Sequence, residues 1–438
     1  LQFYSVIYAM EFSFTENLLS YIWQFQLFQK ENLVTQSGKP IRVLKQGTPQ
    51  SNQGPDFSQA KIMIDNITLA GSIEIHKSSK DWYLHQHQIN KQYNSVILHV
   101  VWQAKESFTQ LENGETVEVL SLLPLVNEKL LARYDLLMKS SNRIACEGFD
   151  VKLNRLELNS YLQKLAIERV QRKVEDIDRL IENHNGNWNQ VVFIQLARYL
   201  GSSLNNTALQ SLAESININV LLKSKVDLKI LEAILFGQAG MLECDKTDDY
   251  FIQLKKEYNY QKRLHRLSPL SSVNFQYSKI RPSAFPSYRI AQLANLMFHN
   301  SFLIEDICAI NAMEDIKKSL QIAPHFYWDE HYDFDQAQKK KHTLQLGNSS
   351  IEMLAINFVC PLIFAYGKHR DDEALCEKAV TIMEEITAEE NKITRLFESK
   401  KIKATNALES QALIELKTNY CDKKKCLTCM IGHKLLND

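Results

Sequence analysis

Apolar positions change their period part-way along this chain. From Phe12 to Lys30 they recur every three or four residues and include several aromatics, which predicts a helix with an aromatic buried face. Gly38 to Leu44 reads as a turn feeding a strand, and Gln46 to Pro55 as a polar loop punctuated by glycine and proline. Lys61 to Ile64 is a short apolar run, Ile67 to Ile75 alternates, and the Asp65-Asn66 pair between them predicts a β-hairpin. Ser79 to Tyr93 is expected as a helix capped by Ser78 or Ser79, and Ser95 to Trp102 as a strongly apolar strand. Helix, strand, hairpin, helix and strand together make an α/β region over 10–125.

Beyond it the period becomes helical, from Leu153 to Leu222 and again at Leu228–Leu242, Thr247–Leu267, Ser287–Asn300, Ile351–Tyr366, Asp372–Ile386 and Ala388–Leu416. No fixed-period repeat is present, which excludes a solenoid. The predicted fold class is therefore α+β: an α/β domain over 10–125, a linker over 126–152 and an irregular all-helical domain over 153–438. The polar stretch Asp329 to His342, ending in Lys339-Lys-Lys-His342, is expected as an exposed loop.

Composition narrows this picture. At 438 residues with 45% apolar and 23% charged residues, the chain fits a soluble globular protein of two or three domains. Lys+Arg and Asp+Glu are equal at 51 each, which excludes a generally basic nucleic-acid coat and leaves room for a local basic groove. The longest apolar stretch, Ile351 to Tyr366, carries Glu352 and Asn357 and reads as a buried helix, so no membrane association is expected. Leu1 to Met10 lacks a basic region and a cleavage site, so no signal peptide is read; Met10-Glu11 is the more natural start and Leu1 to Ala9 an upstream extension. Eight cysteines in a chain this long do not make a secreted disulfide scaffold, and a cytoplasmic location is expected.

Candidate chemistry gathers in two places. Between Gly54 and Trp102 stand Pro55-Asp56, then Glu74-Ile75-His76, then Asp81, His85, His87 and His99. Residues two apart on a strand face one side, so Glu74 and His76 project together. With Asp56 nearby they could hold a divalent cation that polarises a phosphoryl oxygen and activates water, His76 orienting that water or binding the metal itself. Oxygen-rich ligation favours Mg²⁺ or Mn²⁺, and more than one histidine shifts the balance toward Zn²⁺ or Mn²⁺. Asp81 and His85 stand four apart on the predicted helix, one face of it, with His87 pointing elsewhere. His99 lies in an apolar strand and reads as a satisfied core histidine, and Trp82 and Tyr83 as packing residues.

The second place is the C-terminal Cys421-x4-Cys426-x2-Cys429, with His433 four residues beyond. Three cysteines so close predict a metal site, either Zn²⁺ or an iron–sulfur cluster, with His433 or the distant Cys146 as fourth ligand. Elsewhere, Arg281 and Arg289 flank a Pro-rich entry to a helix and are candidates to grip phosphate, with packing of the turn the favoured reading.

The order Pro-Asp, hairpin, Glu-x-His, helix, strand resembles a degenerate PD-(D/E)xK nuclease core in which His76 stands where lysine is usual. The motifs GPDF, GxIEIH, DWxxHxH, ILHVV, FGQAG, RPxxFPxxRIAQLA, PLIFAYG and CxxxxCLxCxIG, spread from Phe12 to Gly432, resemble those of a Bacteroidetes-type bacterial family of unknown function. The nuclease-like order implies a metal-dependent phosphodiesterase acting on nucleic acid, with Asp56 and Glu74 on the metal and His76 assisting. The alternative it leaves open is a non-catalytic module that binds nucleic acid or a protein partner on the same scaffold.

Overall fold

The computed structural model describes residues 14–50, 53–149, 154–270, 275–321, 326–337 and 345–437. The extension Leu1 to Ala9, the start of the first predicted helix and the Lys339 run lie outside them. The chain forms two units: residues 1–155 joined by 417–438, and residues 156–416. Residues 417–438, expected as the end of the helical domain, thus return to the first unit. The expected linker is also structured, because Glu128–Lys139 is a helix that buries Leu130, Leu131, Tyr134 and Leu137.

The first unit is built on a seven-stranded mixed sheet. Helix α1 (Glu16–Gln24) precedes β1 (Ile41–Lys45), β2 (Thr48–Pro49), β3 (Phe57–Ile64) and β4 (Ile67–Ser78). A short helix α2 (Asp81–Leu84) and two 3₁₀ turns lead to β5 (Val96–Gln103), followed by β6 (Phe108–Gln110), β7 (Thr116–Ser121) and α3 (Glu128–Lys139). The order across the sheet is β1-β3-β4-β5-β7-β6, with β2 beside β3.

The expected hairpin is β3 and β4, paired antiparallel with Ile64 opposite Ile67. Asp65 and Asn66 both have positive φ, 51° and 66°. A two-residue turn of that hand matches the natural twist of the strands it joins, and Asp and Asn tolerate it better than other side-chain-bearing residues. β4 then runs parallel to β5, and β5 parallel to β7. Such interior parallel strands are covered on both faces, which is why Val96 to Trp102 reads as nearly continuous apolar sequence. Gly71 permits the close start of that pairing: a Cβ there would stand 2.4 Å from Ser95 O.

One face of the sheet packs on the larger core. Ile73, Ile75, Leu98, Val100 and Leu120 meet Leu18, Leu19, Ile22 and Trp23 of α1 and Leu131, Tyr134 and Leu137 of α3. Each such aliphatic side chain contributes about 1.5–3 kcal/mol when fully buried. Helix α1 is shorter than the sequence suggests because Gln26 turns to positive φ (52°) and ends it.

The second unit is helical. Its interior helices Trp188–Leu200, Leu228–Gln238 and Pro286–His299 are buried along most of their length. Asn348–Arg370 is long and apolar enough to cross a membrane by composition, but 72% of its most apolar window is buried inside the protein, as a core helix would be. It contains a π-turn at Ala355–Val359 just before Pro361. Proline offers no N–H and its ring crowds the carbonyl four residues back, so the helix widens there. The freed Ile356 carbonyl accepts from Lys173 Nζ at 3.1 Å, and Asn357 Oδ1 accepts from the same amine at 2.9 Å.

Candidate metal centre

Strand alternation sends Ile73 and Ile75 into the larger core and Glu74 and His76 to the opposite face. That face is covered by the segment from Asp81 to Ser95. Trp82 and Tyr93 pin it there in a small second core with Val96, Leu111 and Val117. Helix α2 is far shorter than the predicted Ser79–Tyr93 helix. Gln86 adopts the left-handed conformation (φ 60°), the chain reverses, and His87 opens a 3₁₀ turn. This corrects the sequence reading of His87: the bend aims it at Glu74 instead of away from it.

Four side chains converge as a result. His76 Nε2 lies 3.1 Å from His85 Nδ1 and 3.5 Å from Glu74 Oε1. His87 Nε2 lies 3.3 Å from the same Glu74 oxygen. Among the described residues, His76, His85 and His87 form a group of three whose ligand atoms all lie within 4.8 Å of one another. Ligands on a tetrahedral zinc at about 2.0–2.1 Å stand about 3.3 Å apart, close to the 3.1 Å between His76 Nε2 and His85 Nδ1. His87 Nε2 is buried with no hydrogen-bond partner. An orphaned lone pair or N–H in that position costs stability unless something else engages it.

The other nitrogen of His76, Nδ1, meets His99 Nε2 at 2.9 Å. His99 stands on β5 directly opposite Glu74. Its apolar strand predicts a core histidine; His99 is buried, and it also fixes His76. Burial, reinforced by the neighbouring histidines, pushes His76 down to about 2 and His99 down to about 3. Both are neutral imidazoles at physiological pH. When His76 donates from Nδ1 to His99, its Nε2 lone pair faces His85 and Glu74. A partner on the far nitrogen is the usual way a ligating histidine is oriented.

The carboxylates interlock through the backbone. Asp56 N donates to Glu74 Oε2 at 3.1 Å, and Ile75 N donates to Asp56 Oδ2 at 2.9 Å. Burial raises both carboxyls above the usual range, and Glu74 raises Asp56 further. Glu16 of α1 adds its charge to the same field. No sequence signal marked Glu16, because helix α1 brings it there from far away in the chain. Histidine-rich ligation beside these acids fits Zn²⁺ or Mn²⁺ better than Mg²⁺.

The remaining candidates divide. Asp81 Oδ2 accepts from Ser78 N at 2.9 Å and serves the turn before α2, apart from the histidine group. Arg281 is exposed ahead of a 3₁₀ turn at Pro282–Ala284. Arg289 is turned inward, with Nη1 donating to Gln292 Oε1 at 2.7 Å, and burial lowers its pKa. That is the placement of a packing residue. His433 is engaged elsewhere: Tyr21 OH lies 2.8 Å from Nδ1, and Asn437 Nδ2 lies 3.0 Å from Nε2.

A family described as "Protein of unknown function (DUF2851)" matches residues 16–392, so the chain belongs to that family. No curated protein and no solved structure matches it.

Proposed function

We propose that the first unit is a metal-dependent hydrolase of phosphodiesters, with nucleic acid as its substrate class. The observation that carries this reading is the convergence of His76 Nε2, His85 Nδ1 and His87 Nε2 beside Glu74 Oε1. A Zn²⁺ or Mn²⁺ ion there would supply Lewis acidity and a water of lowered pKa. His76, His85, His87 and Glu74 would hold it, and His99 would keep His76 in the ligating tautomer. Asp56, its carboxyl raised toward neutrality by burial and by Glu74, is placed to exchange a proton beside the ligands.

Nucleic acid as substrate rests on the order of the elements. Asp56 stands at the entrance of β3, and Glu74-x-His76 follows on the adjacent β4 with β5 parallel to it, in the manner of the PD-(D/E)xK core. His76 in place of lysine is the departure from that core, and here it joins the ligand set. One observation favours the non-catalytic alternative. Glu74 and His76 are only 5% and 2% exposed, so His85 is the ligand that solvent reaches most freely.

The test is cleavage of labelled single- and double-stranded DNA and RNA by chelator-treated protein resupplied with Zn²⁺, Mn²⁺ or Mg²⁺. Cleavage restored by Zn²⁺ or Mn²⁺ and absent in Glu74→Gln supports the reading. Metal binding with oligonucleotide retention and no cleavage in any metal gives the binding-module alternative. Cleavage that persists in Glu74→Gln overturns the assignment of the site.

A further inference from the structure

The first unit holds a second ligand set, formed where residues 417–438 return to it. Cys146, Cys421, Cys426 and Cys429 line one small pocket, together with Ala145, Tyr420, Lys425 and Gly432. All four are free thiols, and Cys426 and Cys429 are buried. Helix Met430–Asn437 closes over them through Gly432, where a Cβ would stand 2.1 Å from Cys426 O. No side chain other than hydrogen fits that approach.

We propose that these four cysteines ligate a [4Fe–4S] cluster. The sulfur spacing decides between the two kinds of thiolate site. Four thiolates on one zinc, each at about 2.3 Å, stand about 3.8 Å apart. Among the described residues no three of these sulfurs lie within 4.8 Å of one another, although all four face the same pocket. An iron–sulfur cube carries each thiolate on a different iron and so spreads the four sulfurs apart around a common centre. The arrangement also selects the fourth ligand. His433 is held by Tyr21 and Asn437 and its ring lies against Phe25, whereas Cys146 faces the pocket. Burial pushes the Cys146 and Cys426 thiols up, to about 11 and about 12, and the other cysteines of the set add to the rise.

The cluster joins Cys146, which follows α3, to the returning C-terminal segment. Between them in sequence lies the entire helical unit. A cross-link closing so long a loop removes conformational freedom from the unfolded chain and pins the return segment to the sheet-bearing unit. This inference is independent of the hydrolase reading, because the two ligand sets share no residue.

The test is anaerobic purification of the full chain and reconstitution with Fe²⁺ and sulfide. It is followed by iron and sulfide analysis, visible absorption, and electron paramagnetic resonance after reduction. Four irons and four sulfides per chain, with a broad visible absorption, are expected. They should be lost in Cys146→Ser and Cys426→Ser and kept in His433→Ala, in Cys244→Ser and in His85→Ala. Circular dichroism of each variant separates loss of the cluster from loss of the fold, and His433→Ala decides the ligand set even if the cysteine variants misfold. One zinc per chain, no stoichiometric iron after reconstitution, or full iron in a folded Cys146→Ser protein would each overturn the proposal.

Discussion

His99 offers the sharpest test of the histidine centre, since it touches no solvent and would touch no substrate. Its Nε2 meets His76 Nδ1 at 2.9 Å. Replacing it with leucine leaves that nitrogen buried and unpaired, at a cost of about 1–3 kcal/mol to the metal-free protein. The same change frees the His76 ring, and loss of such an orienting partner weakens metal binding about 10–100-fold. Zinc at 100 times the wild-type Kd stabilises the wild type by about 2.7 kcal/mol, and a site weakened about 30-fold by only about 0.9 kcal/mol. For a unit of this size these are Tm shifts of roughly 5–10 °C and roughly 2–3 °C. Melting each protein with and without zinc cancels the variant's own destabilisation, and calorimetric titration reads the affinity directly. His99→Gln, whose amide oxygen can accept from Nδ1, should recover most of the shift. A His99→Leu protein that binds zinc as tightly as the wild type would refute the idea that the metal sits on His76 Nε2.

Three further outcomes follow from the geometry. His85→Ala removes the exposed ligand, so metal-free melting should stay within a degree or two of the wild type while the zinc-induced shift falls; an unchanged shift removes His85 from the site. Glu232 in the second unit is fully buried, accepts from Tyr250 OH and Trp328 Nε1, and burial raises its pKa from 4.5 to about 7. Its folded pKa lies above the unfolded one, so its contribution is fully present below about pH 4.5 and is lost as pH rises to about 7. That amounts to about 3 kcal/mol. Glu232→Gln should lack this fall, read as a difference from wild type in unfolding free energy that changes between pH 5 and pH 8; a difference that stays constant means the carboxyl is not protonated in the fold. Gly432→Ala adds a methyl at 2.1 Å from Cys426 O and should destabilise the first unit by about 1–3 kcal/mol, although alanine is the better helix former. A melt equal to or above the wild type would show that helix Met430–Asn437 does not need that approach.

Much of the framework was written in neighbouring residues. The β3–β4 hairpin, its Asp65-Asn66 turn, the apolar β5 strand and the shift to helices after the first unit follow from period and turn chemistry. Both express short-range sterics and burial on one side. The same alternation puts Glu74 and His76 on one face without recourse to any tertiary contact. Three things were beyond that reach. The left-handed Gln86 cut the expected helix short and swung His87 onto Glu74. A single backbone conformation among many polar residues leaves no periodic mark. His99 and Glu16 come to the site only because β5 docks beside β4 and α1 packs on the sheet, contacts between residues far apart in sequence. The return of residues 417–438 likewise brings Cys146 to the other three cysteines. Spacing along the chain encodes which residues share a face, since backbone geometry repeats every few residues. Which faces meet is decided by burying apolar surface across long loops, and only the folded structure records it.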